Sequence, residues 1–358
     1  MTPTIASLIY ALCAYIFPPQ EAELLFAGDA MMHKSQLEAA QDASRRAGDG
    51  KGYDFSEYFS AIKPQIAAAD YAVVNLETPL GGAPYSGYPC FCAPDRYADA
   101  LADAGFDLML TANNHTLDRR DRGLKRTCAT LSARGYDHTG TYPDPAARDS
   151  LVPLIRDIKG FRVAFLNYTY GTNGITVQGD AVVDIIDPGQ MHRDISLARS
   201  RGAEIVCVAV HWGVEYQLLP HSSQTKLADR LVREGADLVI GGHPHVIQPM
   251  EMRTDSTGRR QLVVYSLGNF ISGMRTRDTR GGAMVSVRLS RDSIGRAIVK
   301  DADYTLVFTV PGSQSRNFRL VYPDSCGDPA WTPQARAFAA SARTIFDKHN
   351  RAVPEKGR

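Results

Sequence analysis

The sequence predicts an α/β fold, in which buried β-strands alternate with α-helices along the chain. Short apolar runs of strand length recur, and Val73-Val74 and Leu238-Val239-Ile240 are typical examples. Between such runs lie segments of helical composition that end at Gly105, Gly135 and Gly235, and glycine commonly closes a helix. Because neither a linker nor an internal repeat interrupts this alternation, a single large domain is predicted.

The composition is that of an ordinary globular protein, and it excludes several classes. The chain has 358 residues, of which 44% are hydrophobic and 22% are charged, and its formal net charge is +1. This balance lacks the basic footprint of nucleic-acid-binding proteins, so no nucleic-acid partner is expected. Apart from Cys13, the remaining cysteines are odd in number and show no framework spacing, so a disulfide scaffold is not expected.

The first residues predict export from the cytoplasm. Ile5 to Phe17 is an apolar run that ends at Pro18-Pro19. It is shorter than the roughly 20 residues that span a bilayer, and a cleaved secretory signal fits it better. Residues 1–22 are therefore predicted to be a signal peptide or an N-terminal anchor, which places the mature protein in the periplasm or at the cell surface. A buried N-terminal helix is the alternative.

Several predicted strands end directly at polar residues. In the first third of the chain these are 23–27 followed by Asp29, 70–76 followed by Glu77, and 107–112 followed by Asn113-Asn114-His115. In the second half they are 204–210 followed by His211, 236–240 followed by Gly241-Gly242-His243-Pro244-His245, and 261–266 followed by Gly268-Asn269. A further strand is predicted at 162–168, before a glycine-rich loop. Asn, Asn and His in succession suit neither helix nor strand, so 113–115 is predicted to be a loop, and its position favours a functional one.

Helices are predicted between these strands and at the end of the chain. They are Tyr97 to Ala104, Leu124 to Arg134, Pro188 to Arg201 with Asp187 as the cap, Ser222 to Glu234 with Ser222 as the cap, and Gln334 to Asn350. Ala283 to Leu289 and Ala297 to Val310 are predicted to form a late pair of hairpin strands.

The polar strand ends predict a metal site at one edge of the sheet. In an open α/β fold this edge is the usual place for a site. His243 and His245 are separated by one residue, so in an extended segment both imidazoles point the same way and can reach one metal cluster. Oxygen and imidazole ligands without thiolate suit zinc, manganese or iron. Taken alone, this segment is equally well explained as a tight turn with two exposed histidines.

Six motifs follow one another along the chain: Gly-Asp-Ala-Met, Asn-Leu-Glu-Thr-Pro, Ala-Asn-Asn-His-Thr-Leu-Asp, His-Trp-Gly-Val-Glu-Tyr, Gly-Gly-His-Pro-His-Val and Tyr-Ser-Leu-Gly-Asn-Phe. In this order they resemble the CapA family of poly-γ-glutamate capsule synthesis proteins, which is similar to the calcineurin-like metallophosphatases. The resemblance implies a metallophosphatase-like β-sandwich in which helices flank two mixed sheets in an α/β/β/α arrangement. The domain is expected to occupy 23–310, and 311–358 to form a C-terminal extension with a terminal helix.

The resemblance also implies roles for individual residues around a pair of divalent metal ions. The matching ligand positions are Asp29, Glu77, Asn114, His211, His243 and His245. His115 matches the histidine that protonates a leaving group, and Asp118 is close enough in sequence to orient it. Met31 stands where the phosphatases carry a histidine, and His33 is out of register with that position. Glu215 is therefore expected to help at the first metal or to contact substrate.

The leading hypothesis is an exported metal-dependent hydrolase that acts on an anionic envelope polymer or a small phosphoester. Asn269, Arg275, Arg277 and Arg280 are expected to contact anionic groups of the substrate, although a solvated loop explains the arginines equally simply. Membrane-associated components of capsule synthesis or export are expected partners. Two alternatives remain open: a metal-dependent isomerase that acts next to a carboxylate, and a degenerate site that only binds polymer during export.

Overall fold

The computed structural model describes residues 20–48, 50 and 52–357. The apolar run from Ile5 to Phe17, on which the predicted signal or anchor depends, lies outside these residues. Within the described part of the chain, no helix combines the length and the apolar character needed to cross a membrane.

Strands and helices alternate through most of the described chain. The strands are β1 (Glu21–Ala30), β2 (Tyr71–Leu76), β3 (Leu108–Leu110), β4 (Asp137–Thr139), β5 (Thr141–Tyr142), β6 (Leu154–Ile158), β7 (Phe161–Thr169), β8 (Val182–Val183), β9 (Ile205–His211), β10 (Leu238–Gly242), β11 (Ile247–Thr254), β12 (Arg260–Leu267), β13 (Asn269–Ile271), β14 (Gly281–Arg291), β15 (Ala297–Val310) and β16 (Arg319–Val321). The helices are α1 (Lys34–Ala47), α2 (Lys63–Ile66), α3 (Asp95–Ala104), α4 (Arg120–Ala133), α5 (Pro145–Leu151), α6 (Pro188–Ser200), α7 (Ser222–Glu234) and α8 (Thr332–His349).

Two mixed sheets form the centre of the molecule. The first has the order β16-β15-β14-β1-β2-β3-β4, and β13 also pairs with β1. Strands β1 to β4 run parallel, whereas β14 pairs with β1 in the antiparallel direction. The second sheet has the order β11-β12-β10-β9-β7-β6, with parallel strands at its centre and an antiparallel strand at each edge. Since the central strands of both sheets are parallel, their carboxyl ends deliver side chains to one edge.

The alternation of side chains along the strands creates three buried layers. In β1, Leu24 and Phe26 face the core between the two sheets, while Leu25 and Ala27 face the outer layer that contains α1 and α3. In β9, Cys207 faces the same inner core, while Val208 packs outward with residues of α6 and α7. Helices therefore cover both outer faces of the sheet pair. The α/β/β/α sandwich predicted from the sequence is confirmed.

The sequence prediction missed some elements and shifted several boundaries. Helix α1 and strand β11 were not predicted, because neither carries a strong apolar pattern. Helix α6 has the predicted cap, with the Asp187 side chain accepting a hydrogen bond from Gly189 N at 2.8 Å. Ser222 was predicted to cap α7, but His221 occupies that position and exchanges hydrogen bonds with Gln224 in a capping box.

Residues beyond 310 are packed onto the sandwich. Strand β16 adds to the edge of the first sheet beside β15. Helix α8 buries Phe338 and Phe346 in the core that lies between the sheets. The boundary predicted at residue 310 remains a prediction.

Gly28→Ala is expected to destabilise the sandwich, because the fold has no space for a methyl group there. A Cβ on Gly28 would lie 2.0 Å from the carbonyl oxygen of Gly268, which is a backbone atom. Overpacking of this kind costs about 1–3 kcal/mol, so the midpoint of thermal unfolding should fall by several degrees. Gly171→Ala is the control, since nothing lies within 4 Å of a Cβ at that position. Equal midpoints for the two variants would contradict the close approach.

Candidate metal centre

Carboxyl ends of strands from both sheets converge at one edge of the sandwich. Strands β1 and β2 bring Asp29 and Glu77 to this edge, while β9 and β10 bring His211 and His243. Each of these four residues is at most 4% exposed to solvent. Charged and polar groups buried this deeply need partners, and a metal ion is one way to supply them.

Asp29, Glu77 and His211 form the first of two groups that could hold a metal ion. One ligand atom from each lies within 4.8 Å of the others. The Asn75 side chain lies among them: its Nδ2 donates to Asp29 Oδ1 at 2.8 Å and is 3.4 Å from both Glu77 Oε2 and His211 Nδ1. The amide thus holds two carboxylates and one imidazole together.

Glu215, His243 and His245 form the second group, again with ligand atoms within 4.8 Å of one another. The His243 ring centroid is 4.9 Å from that of His211 and 5.9 Å from that of His245. His245 Nδ1 is also 3.4 Å from Asp29 Oδ2. The two groups therefore form one continuous cluster, and the exposed Glu215 lies on its solvent side.

The segment that carries His243 and His245 is bent, and the predicted extended conformation is wrong. The two residues have φ angles of 99° and 58°, in the left-handed region. The bend follows Gly242, where the backbone passes so close to Asp29 that a Cβ would lie 2.8 Å from Asp29 Oδ1. His243 N then donates to Asp29 Oδ2 at 3.2 Å. A left-handed residue other than glycine costs about 1–3 kcal/mol, and this bend directs both imidazoles to the buried carboxylates.

Three members of the cluster are already deprotonated at neutral pH. Burial lowers the pKa of His211 to about 3. Burial, with the nearby charges of His211 and His245, lowers the pKa of His243 to about 2. Burial alone would raise the pKa of Asp29, but its hydrogen bond with His245 and the neighbouring imidazoles lower that pKa to about 2. These three side chains are in the form that binds a metal ion.

Glu77 and His245 hold protons at neutral pH. Burial, reinforced by the charge of Asp29, raises the pKa of Glu77 to about 8. Burial opposes protonation of His245, but the charges of Glu77 and Asp29 outweigh it and raise the pKa of His245 to about 9. The cluster therefore compensates its buried carboxylates with protons when no other cation is bound.

Two buried ligand atoms in the cluster have no hydrogen-bond partner in the described part of the chain. They are Glu77 Oε1 and His243 Nδ1. A buried polar atom left without a partner costs about 1–3 kcal/mol. A divalent cation would satisfy both atoms, and a donor set of carboxylate and imidazole without thiolate suits zinc, manganese or iron. The residues present fit divalent metal ions.

His115 and Asp118 form a buried pair beside the cluster. His115 Nδ1 is 2.8 Å from Asp118 Oδ2, and both side chains are almost fully enclosed. The same Asp118 oxygen accepts a hydrogen bond from Phe91 N at 2.6 Å, which fixes the carboxylate. The Phe91 ring packs edge-on against the imidazole, with 4.5 Å between the ring centroids. The His115 ring is thus held in one orientation, with Nε2 as the nitrogen not bound to Asp118.

Asn114 points in a different direction from its neighbour His115. Its Oδ1 lies 2.8 Å from His211 Nε2, while its Nδ2 donates to Asn173 Oδ1 at 3.2 Å. The amide oxygen is thereby directed at the cluster. Of these two adjacent loop residues, Asn114 thus contacts the candidate ligand His211, while His115 pairs with Asp118.

Asn269 lies behind His245, which corrects the expectation that it contacts substrate. It is fully buried, and its Oδ1 is 3.0 Å from His245 Nδ1. Its Nδ2 donates to the Thr279 carbonyl oxygen at 2.9 Å. With both ends of the amide engaged, Asn269 is placed to orient His245 rather than to meet a substrate.

The three arginines that follow Asn269 differ in their surroundings. Arg277 forms two hydrogen bonds of 2.8 Å with Asp278, so its guanidinium is neutralised by its own neighbour. This pairing makes Arg277 a weaker candidate for contact with substrate than Arg275 and Arg280. Arg275 and Arg280 line a groove that also includes Ser272 and Gly273.

Sequence reasoning did not assign a role at the site to Asn75, Tyr170 or His33. Tyr170 directly follows β7, and its ring centroid lies 4.5 Å from that of His243, so the strand-end rule could have found it. His33 caps α1, and its Nδ1 accepts a hydrogen bond from Gly273 N at 3.1 Å. The Met31 side chain is buried in the fold at 1% exposure. Neither His33 nor Met31 belongs to the two groups of possible metal ligands found in the described chain.

The family is decided by a match of residues 23–274 to the family model described as Bacterial capsule synthesis protein PGA_cap. The chain belongs to this family. The resemblance to CapA proteins inferred from the motifs is thereby confirmed. The predicted metal-binding residues of this PGA_cap chain, from Asp29 to His245, lie inside the matched segment, whereas Arg275 and Arg280 lie just beyond it.

Curated relatives of this PGA_cap chain include two capsule proteins from Bacillus. It is 28% identical over 258 residues to the "Capsule biosynthesis protein CapA" of Bacillus anthracis, covering 69% of this chain and 61% of that protein. It is 28% identical over 294 residues to the "PGA biosynthesis protein CapA" of Bacillus subtilis (strain 168), covering 78% of this chain and 70% of that protein. The chain thus spans about three-fifths of the length of the Bacillus anthracis relative.

Among solved structures, the PGA_cap chain is similar to a putative 5′-nucleotidase from Staphylococcus aureus in complex with alpha-ketoglutarate. The TM-score is 0.51 at 13% identity, and the similarity covers 89% of this chain and 58% of that chain. At this identity the similarity concerns the fold alone. It supports the arrangement of two mixed sheets flanked by helices.

Proposed function

We propose that this chain is a metal-dependent hydrolase that cleaves a bond in an anionic capsule-type polymer, such as poly-γ-glutamate, or in a small phosphoester. One observation carries the proposal: the buried cluster around Glu77 and His243, with its two unpartnered ligand atoms, adjoins the His115–Asp118 pair. A metal centre next to a fixed histidine fits hydrolysis, because the reaction needs both an activated water and a proton for the leaving group.

The residues that would hold two divalent ions share the convergent edge of the sandwich. They are Asp29, Glu77, Asn114, His211, His243 and His245, with Glu215 on the solvent side. When bound, such ions polarise the scissile group and lower the pKa of a water molecule. Asn75 and Asn269 would position these ligands, because Asn75 hydrogen-bonds to Asp29 and Asn269 hydrogen-bonds to His245.

His115 would supply the proton to the leaving group from Nε2. Asp118 holds Nδ1, so it selects the orientation in which Nε2 faces away from the carboxylate. A general acid must present its proton toward the leaving group, and the hydrogen bond to Asp118 fixes the direction of the imidazole. The bond to the leaving group breaks as this proton is transferred, and the departing atom leaves neutral.

We further propose that the protein acts outside the cytoplasm, next to components that make or export the polymer. The names of the two Bacillus relatives support a place in capsule synthesis. The apolar run from Ile5 to Phe17 supports export. The segment 23–310 is proposed as the hydrolase domain, with 311–358 as its C-terminal extension.

Hydrolysis is expected to depend on metal. Protein stripped with a chelator should be inactive, and reloading with manganese, zinc or iron should restore cleavage of p-nitrophenyl phosphate or of γ-linked glutamate oligomers. Chromatography and a chiral assay of the oligomer products distinguish the alternatives. Inversion of glutamate without chain cleavage would establish an isomerase, and full metal loading without any turnover would leave a binding protein. Either result refutes the proposal.

Metal uptake at pH 7 should also release protons, because Glu77 and His245 must lose theirs before they can bind an ion. Their pKa values of about 8 and about 9 predict the release of about one to two protons, and affinity should therefore rise with pH up to about 9. Calorimetric titration in two buffers of different ionisation enthalpy measures this number. Binding heats that do not differ between the buffers would contradict the protonated state of the cluster.

A further inference from the structure

Arg275 and Arg280 lie together in a surface groove, called here the arginine groove, which they line with Ser272, Gly273 and Trp331. The guanidinium carbon of Arg280 is 4.8 Å from a ring centroid of Trp331, a stacking contact. Arg280 Nε also donates to the carbonyl oxygen of Arg275 at 2.9 Å. Arg280 is therefore held in a fixed direction, with its two terminal nitrogens left for other partners.

Neither arginine forms an ion pair with a carboxylate in the described part of the chain. The nearest acidic residue in sequence, Asp278, is already paired with Arg277. Arg280 is half-buried, and this burial together with the charge of Arg275 lowers the pKa of Arg280. Two like charges held close together without a counter-ion favour the binding of an anion.

One hydrogen-bonded connection joins the segment of the arginine groove to the metal cluster. Asn269 Nδ2 donates to the carbonyl oxygen of Thr279, the residue before Arg280, at 2.9 Å, and Asn269 Oδ1 lies 3.0 Å from His245 Nδ1. On the other side of the groove, Gly273 N donates to His33 Nδ1 at 3.1 Å. The groove therefore borders the cluster on the side of His245.

We propose that the arginine groove binds a second carboxylate of a substrate whose scissile bond lies at the metal cluster. The inference rests on the proposed function, since it takes the cluster as the reaction site. Arginine binds a carboxylate through two parallel hydrogen bonds, which fixes position as well as charge. A substrate with a single anionic group can occupy either the metal cluster or the arginine groove, whereas a polymer with repeated carboxylates can occupy both. The new assignment is thus the place of the second anionic group, at Arg275 and Arg280.

The test measures binding and not turnover, so it stands apart from the test for hydrolysis. Fluorescently labelled γ-linked glutamate oligomers of one to eight residues are titrated into metal-loaded protein, and the dissociation constant is followed by anisotropy. Affinity should rise with length and then level off once the oligomer reaches the groove. In the double variant Arg275→Gln/Arg280→Gln, the affinity for long oligomers should fall by about tenfold or more. It should then approach the affinity for short oligomers.

Arg277→Gln is the matched control, because this exposed arginine is already neutralised by Asp278. It removes one positive charge from the same loop and should leave the length dependence intact. Metal content and the thermal midpoint, measured for every variant, show whether the fold is retained. If the double variant unfolds, Arg280→Lys replaces it, because lysine keeps the positive charge but lacks the planar guanidinium. In Arg280→Lys, the rise in affinity with oligomer length should be smaller than in the unmutated protein. Unchanged affinity in the folded double variant, or an equal loss in Arg277→Gln, overturns the proposal.

Discussion

Replacing His115 with alanine is expected to lower turnover by about 10² to 10⁴ while bound metal stays near the level of the unmutated protein. The reason is geometric: Asn114 directs its oxygen at His211, whereas the His115 ring is held by Asp118. Metal content is measured by elemental analysis, and turnover on phosphoesters with good and poor leaving groups. The loss should be smallest for the best leaving group, because it departs without a proton.

Two further variants make the role of His115 specific. Asp118→Asn should cause a smaller loss than His115→Ala, since the imidazole remains but loses the carboxylate that fixes its orientation. His192→Ala changes a half-exposed histidine of α6 and should leave turnover unchanged. If His115→Ala removes the metal, or leaves turnover on a poor leaving group intact, then His115 is not the proton donor.

Glu77→Gln is expected to abolish metal binding and activity together. Glu77 lies within ligand distance of His211, and its Oε1 is also 3.9 Å from His245 Nε2. Loss of a residue that only supports a ligand costs about 10- to 100-fold in metal affinity, and loss of a central carboxylate should cost more. Calorimetric titration with manganese or zinc measures the affinity.

The stability of the metal-free variant provides the control for folding. Because burial raises the pKa of Glu77 to about 8, the residue is protonated at pH 7, and glutamine has nearly the same shape and charge. The metal-free variant should therefore unfold near the temperature of the metal-free parent, but added metal should no longer raise that temperature. Glu38→Gln, on the exposed face of α1, should keep the full rise. A normal metal-induced rise in Glu77→Gln would show that Glu77 is not a ligand.

The core strands and the polar residues at their ends were predictable because they are encoded locally. A buried parallel strand must be apolar along its length, so the first polar residue marks where it leaves the core. Asp29, Glu77 and His211 were found in this way. Helix α1 was missed because small alanines form much of its buried face, and its cap is a histidine rather than a serine, threonine or aspartate.

The contacts between side chains could not be predicted, because they join segments far apart in the chain. Asn269 follows a strand end as a substrate residue would, and only the packing shows that it lies behind His245. Arg275, Arg277 and Arg280 look alike in sequence, yet only Arg277 has a carboxylate partner in the described chain. The bend at His243 depends on the close passage of Gly242 past Asp29, which no local pattern encodes.

The order of strands in the first sheet has a consequence for when the metal centre forms. Strand β1, which carries Asp29, lies between β2 and β14, and its residue Phe26 pairs with Val285. A ribosome must therefore synthesise most of the chain before β1 gains its second neighbour. Contacts so distant in sequence form slowly. The candidate ligands extend from Asp29 to His245, so the donor set is completed only late in synthesis, and the choice of ion depends on the metals available where folding ends.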